Sequence, residues 1–153
     1  MEIEKKFLVG EIPYDLDTLK YHDIEQAYLC VKPVVRIRKQ DDEYILTYKG
    51  SGMMEREEYN LPLNKEAYLH LKEKADGNII TKRRYLIPIE DDLTIELDVF
   101  GGVLAPLILA EVEFPDTKTA ESFTPPAWFL QDVTFNKKFH NSYLSRVGFE
   151  PIY

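Results

Sequence analysis

The first eight residues, Met1-Glu2-Ile3-Glu4-Lys5-Lys6-Phe7-Leu8, constrain this chain most. Glu2, Glu4 and Lys6 recur at spacing two, with Ile3 and Phe7 between them. Successive side chains of a β-strand point to opposite faces. As a strand, the segment puts two carboxylates and an ammonium on one face and apolar side chains on the other.

Later segments repeat this division. Residues 34–39 set Arg36 and Arg38 against Val35 and Ile37, and Asp41-Asp42 supplies a hairpin turn to a return strand over 43–49. Strands are expected over 24–31, 55–61, 79–89, 93–100 and 107–114, with a turn at Glu90-Asp91-Asp92. Residues 93–100 alternate cleanly, Leu93, Ile95, Leu97 and Val99 against Thr94, Glu96 and Asp98. Gly50-Ser51-Gly52 marks a loop. Asn64 caps a helix of about three turns through Ala67, Leu69, Leu71 and Ala75. A short helical turn fits 15–20, and a short helix fits 117–123. Residues 135–147 carry helical spacing in Phe139, Tyr143, Leu144 and Val147, up to a stop at Gly148. Eight strands joined mostly by short turns predict a mainly-β, α+β fold: a closed eight-stranded antiparallel barrel, a few helices outside, one domain over 1–153.

Composition narrows the function. With 27 acidic and 19 basic residues the net charge is −8, which argues against a general nucleic-acid binder or an anionic-membrane binder. One cysteine, Cys30, excludes an intrachain disulfide and a multi-cysteine metal site, fits a reducing compartment, and is expected to be buried. No apolar run approaches the roughly 20 residues of a membrane span. The strand pattern starts at the N-terminus without a signal-peptide pattern, so the expected location is cytoplasmic. His22, His70 and His140 are dispersed, which suits surface or structural roles. An exposed strand edge or an apolar barrel patch would be the basis of a homodimer.

The charged faces admit two readings. Antiparallel sheets commonly turn one face to water, and periodicity alone fits that. Against it, acids and bases are segregated by strand in pairs, and the helices could cover an apolar exterior. If the charged faces point inward, buried like charges need partners. Carboxylate pairs meeting in space would take a hard divalent cation, and Arg-x-Arg with Lys-x-Arg would take a polyanion. Seven inward acids would then balance seven inward bases, leaving the whole net charge outside.

The ordered set Glu2-Ile3-Glu4-Lys5-Lys6, Arg36-Ile37-Arg38, Thr47-Tyr48-Lys49, Arg56-Glu57-Glu58, Lys82-Arg83-Arg84-Tyr85, Glu96-Leu97-Asp98 and Glu111-Val112-Glu113 resembles the CYTH domain proteins, or triphosphate tunnel metalloenzymes. Asp132-Val133-Thr134 with Lys138-Phe139 and Asn141 looks like the family's C-terminal segment, with Asp and Phe where Glu and Tyr are more usual. The resemblance implies an eight-stranded barrel around a charged tunnel, and hydrolysis of a small-molecule triphosphate with Mg²⁺ or Mn²⁺, as two ions. Glu2, Glu4, Asp98, Glu111 and Glu113 are then metal ligands. Lys6, Arg36, Arg38, Lys49, Arg56, Lys82, Arg84 and Lys138 bind substrate, Lys82, Glu4 and Glu111 are catalytic, and Glu58 and Glu96 belong to the tunnel. The chain has no evident element for a base or an organic group, so inorganic tripolyphosphate, split to diphosphate and phosphate, is the leading substrate. The alternatives are a nucleoside or thiamine triphosphatase, an adenylate cyclase of the same superfamily, and a non-catalytic polyphosphate-binding module. Such cyclases tend to carry His-Phe before the first Glu, where only Met1 stands here.

Overall fold

The computed structural model describes residues 1–147. Its strands are β1 (Glu2–Val9), β2 (Lys20–Val31), β3 (Val34–Gln40), β4 (Glu43–Lys49), β5 (Glu55–Arg56), β6 (Glu58–Leu63), β7 (Asp76–Pro88), β8 (Thr94–Phe100), β9 (Ile108–Glu113) and β10 (Phe129–Asp132). The helices are α1 (Lys65–Lys72), α2 (Thr117–Ser122) and α3 (Asn141–Val147). All paired strands are antiparallel, in the order β10-β1-β9-β8-β7-β2-β3-β4-β6, with β5 returning to β1. Taking β5 and β6 as one strand interrupted at Glu57, eight strands ring the interior, as expected. Closure is short: Glu2 faces Arg56 and Ile3 faces Glu55 across the seam, and the Glu4 amide donates to the Met54 carbonyl at 3.0 Å.

Turns fall where local chemistry puts them. Asp41, Asp91 and Asp92 take positive φ (53°, 60° and 57°). Asp tolerates that region better than most side chains, and two such residues in succession suit a tight hairpin. The Asn64 side chain accepts from the Ala67 amide and starts α1. That helix spans eight residues, about two turns rather than three. A 3₁₀ turn at Leu16–Thr18 fills the expected break.

The apolar faces of the strands point outward, under the helices. Ile3 and Phe7 pack with Ile95, Val112, Phe114 and Phe129 beneath α2 and the chain around Trp128. Ala27 and Ile37 pack with Tyr68 of α1. This face is buried because it is covered, which leaves the barrel interior to the charged face.

Several expectations need correction. β2 begins at Lys20, not at 24. β10 was not anticipated; it flanks β1 through Phe7–Asp132 and Val9–Phe129. The single helix over 135–147 is instead a 3₁₀ turn (Lys137–Phe139) and then α3, with His140 between them. Phe139 and Leu144 satisfy the helical spacing from two separate elements. The proposed stop at Gly148 lies outside the described residues. Cys30 is exposed at the end of β2, beyond a register shift that follows Tyr28. The interior is also not charged throughout. Continuing the inward faces of β7, β8 and β9 leads to Ile80, Phe100 and Leu109. These pack with Tyr28, Val34, Phe139 and Leu144 into an apolar stopper at one end.

Candidate active site

The inward positions of the ring enclose a cavity of about 210 Å³. Register decides who meets whom. Glu4 faces Glu113 and Lys6 faces Glu111 between β1 and β9. Glu96 faces Glu111 between β8 and β9, and Arg84 faces Asp98 between β7 and β8. Lys49 faces Glu58 between β4 and β6. Each like-charged pair on one strand therefore meets the neighbouring strand's charges, and most are compensated.

Arg84 donates from Nε and Nη2 to the two oxygens of Asp98 (2.8 and 2.9 Å), and reaches Glu96 at 3.1 Å and Glu111 at 3.4 Å. Lys82 Nζ stands 2.7 Å from Asp98 Oδ2 and 5.3 Å from the Phe100 ring centroid. Lys6 Nζ donates to the Phe139 carbonyl at 3.2 Å and lies 3.4 Å from Glu111. Lys49 Nζ bridges Glu2 (2.8 Å) and Glu58 (3.4 Å), and Arg56 Nε is 3.6 Å from Glu2.

Four inward charges have no opposite partner among the described residues. Glu4 and Glu113 pair with no cation, and Arg36 and Arg38 pair with no carboxylate. Arg38 instead gives Nε and Nη2 to the neutral Gln26 Oε1 (3.0 and 2.7 Å), and Arg36 Nε is buried without an acceptor. β3 lies four strands from β9 around the ring, so the spare cations face the spare acids across the barrel.

The titrations carry the same imbalance. Burial, and then the Glu4 charge, push Glu2 up to about 8. Burial, and then Glu58 and Glu4, raise Glu113. Glu96 is raised by burial and by the acids around it, against Arg84. Burial opposes the ionised form of Glu58, but a hydrogen bond with Glu2 and the charge of Lys49 hold it low. Burial, and then Arg36 and Arg84, press Arg38 down. Burial carries Lys82 down to about 7 in spite of Asp98.

A model of the CYTH domain family matches residues 1–142. The chain belongs to the CYTH family. It is 37% identical to an inorganic triphosphatase of Nitrosomonas europaea, over 94% of this chain and 96% of that protein. It is 34% identical to an inorganic triphosphatase of Acetivibrio thermocellus, over 94% and 92%. A crystal structure of an inorganic triphosphatase superposes with a TM-score of 0.70 at 35% identity, covering 95% of this chain and 94% of that one.

Of the residues expected to form the CYTH site, Glu2, Glu4, Lys6, Arg36, Arg38, Lys49, Arg56, Glu58, Arg84, Glu96, Glu111 and Glu113 line the cavity. Lys82 and Asp98 lie just beneath the lining, their side chains wholly buried. Both oxygens of Asp98 lie against Lys82 and Arg84 in this structure. Lys138 is exposed on the 3₁₀ turn and does not reach the cavity. Tyr28, Thr47, Asn60, His140, Asn141 and Ser142 also line it and were not assigned there. Thr47 and Asn60 stand two residues from Lys49 and Glu58 on the same faces, so the alternation held their signal. His140 held none, because a helix over 135–147 would have kept it outside.

CYTH membership implies a divalent metal, and the donor set fits one. Glu4 and Glu113 oppose each other in register, lack a cation, and with Glu58 and Glu2 crowd negative charge in one place. Hard cations favour such oxygen ligands. Among the described residues no three of these groups already converge on a point; Glu2 and Glu111 lean instead on Lys49 and Lys6.

Proposed function

We propose that this protein is an inorganic triphosphatase that hydrolyses tripolyphosphate to diphosphate and phosphate. One observation carries the reading: a single cavity holds two uncompensated carboxylates across from two uncompensated guanidinium groups. A ligand that satisfies both must be a polyanion carrying its own cation. The cavity is smaller than the roughly 300–1,000 Å³ clefts that take drug-sized organic molecules, which suits a bare chain of phosphates. The relatives named inorganic triphosphatase support the same substrate.

Arg36 and Arg38 bind phosphate oxygens first, since no carboxylate has to release them. Gln26 holds the Arg38 fork without neutralising it, so the outer edge of the guanidinium stays available. Lys6, Lys49, Arg56 and Arg84 exchange carboxylate for phosphate as substrate enters. Glu2 and Glu111, once released, would hold Mg²⁺ or Mn²⁺ together with Glu4 and Glu113, as two ions. The bound metal supplies charge neutralisation and an acidified water. Phosphoryl transfer asks mainly for positioning and for stabilisation of spread negative charge. Lys82, its ammonium drawn down by burial, holds Asp98 and through it the Arg84 fork in place beneath the cavity. Lys82, Glu4 and Glu111 are the groups on which turnover depends. We read the chain as one domain, and its single cysteine fits a reducing, cytoplasmic compartment. Among the described residues no helix is long and apolar enough to cross a membrane.

The test is a product-resolved assay with tripolyphosphate, ATP, GTP and thiamine triphosphate, each with Mg²⁺ or Mn²⁺. Phosphate and diphosphate released from tripolyphosphate, at a kcat/KM well above that for the organic triphosphates, supports the reading. Cyclic AMP from ATP, or tight binding with no turnover, overturns it.

A further inference from the structure

The stoppered end of the cavity carries a polar residue without a task. Asn141, the first residue of α3, is 9% exposed and lines the cavity. Its Oδ1 is buried with no hydrogen-bond partner among the described residues. An amide left so usually marks the place of a ligand or water, because an unmet buried polar group costs about 1–3 kcal/mol. Its position is tightly set. The Phe139 carbonyl accepts from Lys6 Nζ. His140 Nε2 donates to the Thr134 carbonyl at 2.8 Å, and Thr134 Oγ1 accepts from the Lys6 amide at 3.1 Å. Phe139 and Leu144 seal the space behind.

We propose that Asn141 is a further substrate-binding residue whose amide contacts the phosphate lodged against the stoppered end, so that α3 limits the length of phosphate chain the cavity accepts. This rests on the triphosphatase reading above. The chemistry suits the place. A carboxamide offers two N–H donors or one oxygen by turning about its last torsion. It can therefore donate to a terminal phosphate when one is present, and it is neutral beside both the acids and the bases of the wall. A carboxylate here would repel the phosphate. A terminal phosphate held at the closed end leaves the rest of the chain to run back past Arg36 and Arg38, and a longer chain must project from the open end.

The experiment compares wild type with Asn141→Ala and Asn141→Asp, using tripolyphosphate and tetrapolyphosphate, with folding followed by thermal melts. Asn141→Asp should raise KM for tripolyphosphate roughly ten- to a hundredfold, the range of a lost hydrogen bond to a charged group, with kcat moved much less. Asn141→Ala should raise KM about tenfold and increase the ratio of tetrapolyphosphate to tripolyphosphate kcat/KM several-fold. Folded variants with KM and length ratio within about twofold of wild type overturn the proposal. So does failure of both variants to fold, which would make the residue structural alone. If wild type binds tripolyphosphate without turning it over, the triphosphatase reading fails by itself, and the same comparison is made on calorimetric Kd.

Discussion

Replacing Glu4 with Gln should make this protein more stable and inactive. Glu4 and Glu113 face each other across β1 and β9, where Cβ atoms are about 5 Å apart. Two unit charges at that distance repel by about 3 kcal/mol at an effective dielectric of 20. Side chains can splay, and measured cross-strand charge effects are nearer 0.2–1 kcal/mol. A gain of about 1–2 kcal/mol is therefore expected, or roughly 2–8 °C in Tm for a domain of this size. The pH dependence sharpens the test. Glu2 titrates at about 8 in the fold against an ordinary 4.5. Between those values the native state holds a proton that the unfolded chain has released, so native stability falls as pH rises through that window. Glu4 is a cause of that shift, second to burial, so the fall should be shallower in Glu4→Gln. The stabilisation over wild type should grow from pH 5 to pH 8 in urea titrations. Mg²⁺ should raise the Tm of wild type and leave that of the variant nearly unmoved. A destabilised Glu4→Gln, a pH-independent difference, or normal tripolyphosphate turnover would refute the reasoning.

Three further outcomes follow from the same geometry. Asp98→Asn removes the carboxylate paired with Lys82 and the two-pronged partner of Arg84, which keeps Glu96 and Glu111, and should cost about 3–5 kcal/mol in denaturant unfolding. Lys82 titrates at about 7 in the fold, below its unfolded value, so the deficit should shrink from pH 6 to pH 9 as its ammonium deprotonates in wild type too; an undiminished deficit at pH 9 counts against the buried cluster. Arg38→Ala should raise KM for tripolyphosphate about ten- to a hundredfold, while Lys138→Ala, on the exposed turn, should stay within about twofold; equal effects would mean that the cavity is not where substrate binds. Gly77→Ala should be destabilising by at least about 1–3 kcal/mol, since Gly77 has φ +73° and a Cβ there would clash with the Ser145 carbonyl oxygen, prising α3 from β7; an unchanged melt would refute that contact.

The fold was largely legible because its strands keep strict alternation and its turns use Asp and Gly. Spacing two groups Glu2, Glu4 and Lys6 on one face without saying which side of the sheet that face takes. The side was decided by what could cover the other: Tyr68 over Ala27 and Ile37, and Phe123, Trp128 and Phe129 over Ile3 and Phe7. β10 escaped because Phe129 to Asp132 has no alternation to read; it is ordered by pairing with β1 and by Phe129 stacking 4.7 Å from Phe7. The C-terminal part of the site escaped because helical spacing in 135–147 is a one-dimensional signal. The chain breaks at His140 so that Phe139 can enter the barrel, and only the empty apolar end formed by Ile80, Phe100 and Leu109 explains the break. Those three continue the same inward faces as Lys82, Asp98 and Glu111, and nothing in a period of two marks where such a face turns from charged to apolar.

A barrel with charge inside is tolerable only where each charge is met, since an unmatched buried ion is among the most destabilising features a fold can carry. Among the described residues, ten of the fourteen inward ions are met by one another. The remaining four are not scattered, and three of them keep contact with water, Glu113 exposed and Glu4 and Arg38 half-buried: the acids share one register position on β1 and β9, and the bases share one face of β3. A polyanion alone would satisfy Arg36 and Arg38 and worsen the crowding around Glu4 and Glu113; a cation alone would do the reverse. Only the two together remove both penalties. The unmet charges therefore make metal and polyphosphate bind better together than either would alone, and the same residual repulsion that weakens the empty barrel favours the filled one.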